Sequence, residues 1–397
     1  MGMIPRRIIK FITEDIDGEK MVLLSGPRQC GKTTLATELS SDSEYYNWDI
    51  EKHRALIKSS TLTEDKHLWI LDEVHKWRRW RNWLKGMYDL HKRNHGFVVT
   101  GSARLDLYSR GGDSLQGRYF HYRLHPLTLS EILELPTLDY RKSTQQLTAP
   151  YNHKQVRPTV ERLLSRGGFP EPYLAKSDTF AGRWRLAYSK RLVREDVRTL
   201  EQTQDLDQME LLYDRLPDLV GNNLSLNKLA ISLEVAHQTA SKWIAIFEKL
   251  YGCFYVLPYG GARINAVKKE KKLFLWDWSR NTEPGPRLEN LVAVHLLRLV
   301  HWFEDVYGEV LDLRYFRDTD GHEVDFILLR NKKPWIAIEV KNSEKELSSG
   351  LKYFLKREKC QWAYQLHLKS DTDAVLAKIG GTSVRSLPVG KFLCNLP

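Results

Sequence analysis

Gly26-Pro27-Arg28-Gln29-Cys30-Gly31-Lys32-Thr33-Thr34 is the stretch on which the reading of this chain turns. It has the pattern G-x-x-x-x-G-K-T of a phosphate-binding loop. Its flanks agree. Met21-Val22-Leu23-Leu24 is an apolar run suited to a buried strand, and Thr33 to Leu39 holds good helix formers with no breaker. Glycines let the backbone curl so that its N–H groups face a β-phosphate, and the start of the next helix adds partial positive charge. Lys32 is placed to reach the β- and γ-phosphates, and the Thr33 hydroxyl to ligate Mg²⁺. The pattern also arises by chance in unrelated loops. With strand, loop and helix in this order, it predicts a site for ATP and Mg²⁺.

Outward from the loop, two more apolar runs end in polar residues. Leu68-Trp69-Ile70-Leu71-Asp72-Glu73 is a Walker B pattern. Asp72 would hold Mg²⁺ through water, and Glu73 would polarise the attacking water. Phe97-Val98-Val99-Thr100-Gly101-Ser102 brings a polar side chain between these two motifs, with Thr100 and Ser102 both candidates to sense the γ-phosphate. A plain strand-to-loop turn is the alternative. Gly117 to Leu124 enters another strand, just before which Arg118 is the first candidate for an arginine finger acting on a neighbouring subunit and Arg110 the second. An ordinary salt bridge is the competing reading for either. Trp77, Trp80 and Trp83 recur at helical spacing among arginines. Such a stripe suits stacking on single-stranded nucleic acid, but core packing is the favoured reading.

The chain has 397 residues, enough for about two to four domains. The formal charge of +11, with 61 basic against 50 acidic residues, favours a polyanionic partner, nucleic acid first. No apolar run approaches the ~20 residues that span a bilayer. The first residues lack a signal-peptide core, and Arg6 stands where myristoylation wants Ser or Thr, so the cytoplasm is expected. Cys30, Cys253, Cys360 and Cys394 are too dispersed to indicate a zinc cluster or a disulfide framework.

These motifs, with Leu71-Asp72-Glu73-Val74-His75-Lys76, Ser114-Leu115-Gln116-Gly117-Arg118 and His125-Pro126-Leu127-Thr128-Leu129-Ser130-Glu131, resemble the prokaryotic AAA-type ATPases that carry a C-terminal domain of unknown function. The resemblance runs over nearly the whole chain. It implies an AAA ATPase core, a winged helix and a C-terminal domain similar to restriction-type nucleases. One departure is His295, where an acidic residue would be expected.

Residues 136–158 read as a polar surface loop, and Gly167-Gly168-Phe169-Pro170 as a turn between helices. Ala181 to Leu200 reads as a helix rich in arginine and lysine, mostly a solvated basic face. Leu226 to Leu233 and His237 to Leu250 read as a helix-turn-helix, and Gly252 to Leu257 as a wing strand. His237, Gln238, Thr239, Ser241 and Lys242 open the second helix, where contacts to a DNA groove would be made; a protein partner is the alternative.

Beyond Gly285 the chain presents Glu289 on an apolar helix, then Asp325, Glu339 and Lys341 on two strands. D-x13-E-x-K is the pattern of restriction-type nucleases, with Glu289 a further carboxylate. Glu289, Asp325 and Glu339 would hold Mg²⁺, and Lys341 would orient or deprotonate water. Exposed strand residues joined by a salt bridge would look the same.

The expected architecture is α/β in four parts: a P-loop AAA-type core over 1–135, a linker and helical lid over 136–215, a winged helix over 216–262 and a restriction-endonuclease-like domain over 263–397. The expected function is Mg²⁺-dependent ATP hydrolysis coupled to DNA binding, with metal-dependent cleavage a further option for the last domain. A homo-oligomer or a protein partner is expected, and no membrane. The alternative is a nucleotide-dependent switch or scaffold that binds protein and cuts nothing.

Overall fold

The computed structural model describes residues 4–101, 105, 115–139, 141, 151–200, 205–222, 225–260, 270–341 and 346–397. They fall into two compact units, Pro5–Pro126 with Lys249–Tyr251, and Leu127–Glu248 with Gly252–Pro397.

In the first unit β1 (Met21–Ser25), β2 (Ser43–Asn47), β3 (Leu68–Asp72), β4 (Gly96–Thr100) and β5 (Tyr119–Arg123) form a five-stranded sheet in the order β2-β3-β4-β1-β5. Every neighbouring pair is parallel. β1, β3 and β4 are buried at every residue, as unbroken apolar strands must be when both faces of a parallel sheet are covered. The register pairs Thr100 with both Leu24 and Asp72, so the carboxyl ends of the three central strands share one edge. That edge is where open α/β sheets bind ligands. The tryptophan stripe packs as core: Trp80 is buried among Leu71, Leu84 and Phe97, with Trp77 and Trp83 half-buried against them. The first helix spans Ile9–Asp17.

In the second unit an eight-stranded sheet has the order β12-β13-β11-β10-β9-β8-β6-β7. Its strands are β6 (Cys253–Pro258), β7 (Lys272–Leu275), β8 (Leu311–Arg317), β9 (Glu323–Arg330), β10 (Lys333–Lys341), β11 (Trp362–His367), β12 (Ala374–Ile379) and β13 (Thr382–Pro388). Asn331 and Lys332, both at positive φ (53° and 61°), make the two-residue turn between β9 and β10. The helix Pro284–Tyr307 buries Leu288, Leu291, Val292, Leu296 and Leu299. Full burial of such side chains is worth ~1.5–3 kcal/mol each.

The helices Leu226–Ser232 and His237–Lys249 lie where the helix-turn-helix was expected, joined through Glu234 at φ 54°. The strand read as a wing does more than flank them. β6 pairs with β7 and also runs parallel to β8, so it belongs to the large sheet. The basic helix spans Asp178–Arg191 and passes through a π-helical turn, Leu192–Asp196. There Arg194 pairs with Asp207 and Glu210 across 2.6 Å.

Candidate functional site

The P-loop follows β1 directly. Gly26 sits at φ 147°, and a Cβ there would lie 2.3 Å from the Leu124 carbonyl oxygen, so only glycine lets the chain pass. Gly31, at φ 99°, caps the helix Lys32–Glu38. Lys32 is buried and donates to the carbonyls of Gly26 (2.9 Å) and Pro27 (2.7 Å), which hold the ammonium under its own loop.

Asp72, closing β3, is the hub of the site. Its Oδ2 accepts from Thr33 Oγ1 (3.1 Å) and from the Tyr45 hydroxyl (2.6 Å). Its Oδ1 accepts from Thr100 Oγ1 (2.6 Å). Residues from the loop, from the middle of β2 and from the ends of β3 and β4 thus converge. Glu73 follows at φ 57°, with its backbone N–H bound to the Thr100 carbonyl. Burial pushes its carboxyl up from the ordinary glutamate range, while the Lys76 ammonium 3.2 Å away opposes the shift. Lys76 in turn pairs with Asp49 at 2.6 Å.

In the second unit Gly285, Pro286, Leu288, Glu289, Asp325, Glu339, Val340 and Lys341 line a cleft of about 260 Å³. Helix and strands deliver Glu289, Asp325, Glu339 and Lys341 to one place, as their spacing leads one to expect. Asp325 Oδ2 accepts from the Val340 N–H (2.8 Å), and Glu339 Oε1 accepts from Lys341 (2.8 Å) and Ser348 (3.0 Å). Burial, reinforced by Asp325, raises Glu289 to about 8 and Glu339 to about 7. Burial raises Asp325 as well.

Residues 18–133 match a family profile described as an AAA domain. Residues 157–279 and 284–384 match two profiles described as domains of unknown function, DUF8612 and DUF4143. The chain thus carries an AAA domain followed by a C-terminal domain of unknown function, and in this it is similar to the AAA-type ATPases so built.

Its relatives are similar along much of their length. An uncharacterized protein of Methanocaldococcus jannaschii is 26% identical over 69% of this chain and 64% of its own length. One of Mycobacterium tuberculosis is 27% identical over 81% of this chain and 73% of its own. The chain thus spans about two thirds of the first of these relatives. Among solved structures, a Signal Transduction ATPase with Numerous Domains (STAND) protein with a tetratricopeptide repeat sensor, from Pyrococcus horikoshii, is 14% identical. The match covers 77% of this chain and 48% of that one at a TM-score of 0.27.

Within this AAA-type chain several expected site residues stand differently from what their spacing suggests. Cys30 is fully buried, its thiol 3.5 Å from the Leu124 carbonyl, so its side chain packs under the loop. Arg118 forms a bidentate pair with Asp89 (2.8 and 3.1 Å). It directly precedes β5, whose Tyr119 is in register with Met21, at the edge of the sheet opposite the P-loop. Ser102 and Arg110 lie outside the described residues. His295 is no member of the second cleft. It is fully buried, accepts from the Leu129 N–H (3.2 Å) and is held down to about 4 by burial.

The expected metal set needs a larger correction. Among the described residues, the grouping of His, Cys, Asp or Glu whose ligand atoms all lie within 4.8 Å of one another is Asp318, Asp320 and His322. Glu289, Asp325 and Glu339 share a cleft without closing to that spacing. Beside two of them stands Lys272, which sequence reasoning missed. Its ammonium stands 3.3 Å from Glu289 Oε1 and 3.7 Å from Asp325 Oδ1, and it also contacts Glu323 Oε1. These carboxylates more than offset the burial that would neutralise it, so it stays charged. As the cleft is folded, a divalent ion does not fit this carboxylate set. The one signal in the sequence was a basic residue, Lys272, opening the apolar run Leu273-Phe274-Leu275.

Proposed function

We propose that this chain binds ATP with Mg²⁺ at the P-loop, hydrolyses it, and lets the nucleotide state govern engagement of nucleic acid by the helix His237–Lys249. The carrying observation is the hydrogen-bonded set of Thr33, Asp72 and Thr100, with buried Glu73 beside it. Lys32 would exchange the Gly26 and Pro27 carbonyls for phosphate oxygens. Thr33 and Asp72 are hard oxygen donors 3.1 Å apart, which fits Mg²⁺, and they would hold it. When bound, the ion supplies charge neutralisation at the β- and γ-phosphates. Glu73 takes a proton from the attacking water on its carboxylate, and Thr100 senses the γ-phosphate from the tip of β4.

Nucleic acid is supported by the +11 charge and by His237, Gln238 and Lys242, exposed at the start of the second helix. Cleavage forms no part of this proposal, because Lys272 pairs with Glu289 and Asp325 of the carboxylate set. In an oligomer, Arg118 would have to leave Asp89 before it could reach a neighbour's nucleotide.

The second reading, a nucleotide-dependent switch or scaffold that binds a protein and cuts nothing, is favoured by Ile231, 77% exposed on the first helix of the pair. Phosphate release from Mg²⁺-ATP, measured with and without duplex and single-stranded DNA, tests both. A folded chain that releases no phosphate ends the ATPase reading. Hydrolysis without any DNA binding by fluorescence anisotropy leaves the protein-binding switch.

A further inference from the structure

Lys272 reaches the second cleft from β7, at the edge of the large sheet, and is 1% exposed. Strands lie about 4.8 Å apart, so β7 and β9 would be ~14 Å apart in a flat sheet. The long Lys272 side chain reaches across the sheet, over the Tyr315 ring of β8, to the carboxylates of β9 and of the helix Pro284–Tyr307. A divalent ion in this cleft would draw oxygens from these same residues, at about 2.1 Å for Mg²⁺. Ammonium and metal compete for one position.

We propose that Lys272 is the resident cation of this cleft, standing where a divalent metal would, so that the folded domain takes neither Mg²⁺ nor Mn²⁺ there while Lys272 is present. Glu339 supplies an independent observation. Its Oε1 is held by Lys341 and Ser348, but its Oε2 is buried without a hydrogen-bond partner in a residue 5% exposed. An oxygen that a metal would engage is thus idle and kept from water. Glu289 is fenced on its far side by Gly221, where a Cβ would lie 2.7 Å from Oε2. Removing Lys272 leaves Glu289, Glu323 and Asp325 around a gap in the cleft that Glu339 also lines, which a small, doubly charged ion would fill.

The test is Mn²⁺ binding by electron paramagnetic resonance, on the full chain without nucleotide. An Asp72→Asn background removes the P-loop ligand. The parent should bind no Mn²⁺ in a way that Asp325→Asn or Glu339→Gln abolishes. Lys272→Met in that background should gain one site, about tenfold or more tighter than any residual binding. Adding Glu339→Gln should remove that site again. Binding to the N state raises the melting temperature. Lys272→Met should therefore melt lower than the parent in chelator and recover with Mn²⁺, whereas the parent should melt alike in both. A parent site sensitive to Asp325→Asn or Glu339→Gln would overturn the proposal, and that arm needs no change at Lys272. A folded Lys272→Met, or Lys272→Gln should the first not fold, that gains no site would also overturn it.

Discussion

Thr33 Oγ1 donates to Asp72 Oδ2 across 3.1 Å, tying the P-loop to the tip of β3. The two residues are far apart in the chain and meet because β1 and β3 run parallel on either side of β4. Sheet register preorganises the site; in the proposed nucleotide complex Lys32 would exchange its loop carbonyls for phosphate oxygens, and Thr100 would turn its hydroxyl from Asp72 to the γ-phosphate.

Lys32→Ala removes a buried ammonium that would meet the phosphates. Hydrogen bonds to charged groups are worth about 1.5–3 kcal/mol, so ATP affinity should fall about tenfold to a hundredfold, and turnover with it. Calorimetric titration measures the first directly. Unchanged affinity in a folded variant would refute the P-loop assignment.

Glu73→Gln keeps shape and loses the base. Nucleotide should still bind, while hydrolysis should slow by roughly 10²–10⁴. Because burial raises this carboxyl, the wild-type rate should be present above its raised pKa and be lost as pH falls through it. The acid limb of the pH–rate profile should therefore lie above the ordinary glutamate value. A normal rate for Glu73→Gln would exclude Glu73 as the base.

The Cys30 thiol is enclosed, so it should react slowly with a maleimide in native protein, with or without ATP, and rapidly after unfolding. The loop position alone suggests ATP protection. Fast native labelling that ATP blocks would place the thiol in the phosphate site after all.

Arg118→Ala should leave hydrolysis close to wild type, since the guanidinium is engaged by Asp89 away from its own P-loop. Mixing it with Lys32→Ala subunits decides the matter. A sharp loss in Arg118→Ala that the mixture restores would establish the finger acting across a subunit boundary.

In the second unit Glu289 stands at about 8 and Glu339 at about 7, above their unfolded values. The folded state therefore holds protons that the unfolded state releases from near pH 4.5 upward. Stability from these groups is present at low pH and lost as pH rises toward 8. Melting temperatures across that range should fall, and Glu289→Gln should flatten the decline. A steeper decline in Glu289→Gln would show that its proton is not the one released.

The sequence by itself determined the elements whose signals are local. Gly26 and Gly31 need backbone angles that few residues adopt, and the runs ending at Asp72 and Thr100 are apolar enough to be central strands. The Asp325, Glu339 and Lys341 spacing likewise put those side chains on neighbouring strands of one sheet. Spacing says nothing about enclosure or about partners remote in the chain. Only the tertiary structure decided that Cys30 packs under its loop, that Arg118 is claimed by Asp89, and that β6 belongs to the large sheet. It alone placed Lys272 among Glu289, Glu323 and Asp325, because that meeting depends on the order of strands that lie far apart in the chain. A pattern of carboxylates shows where a cation would sit, and the fold chose which cation sits there.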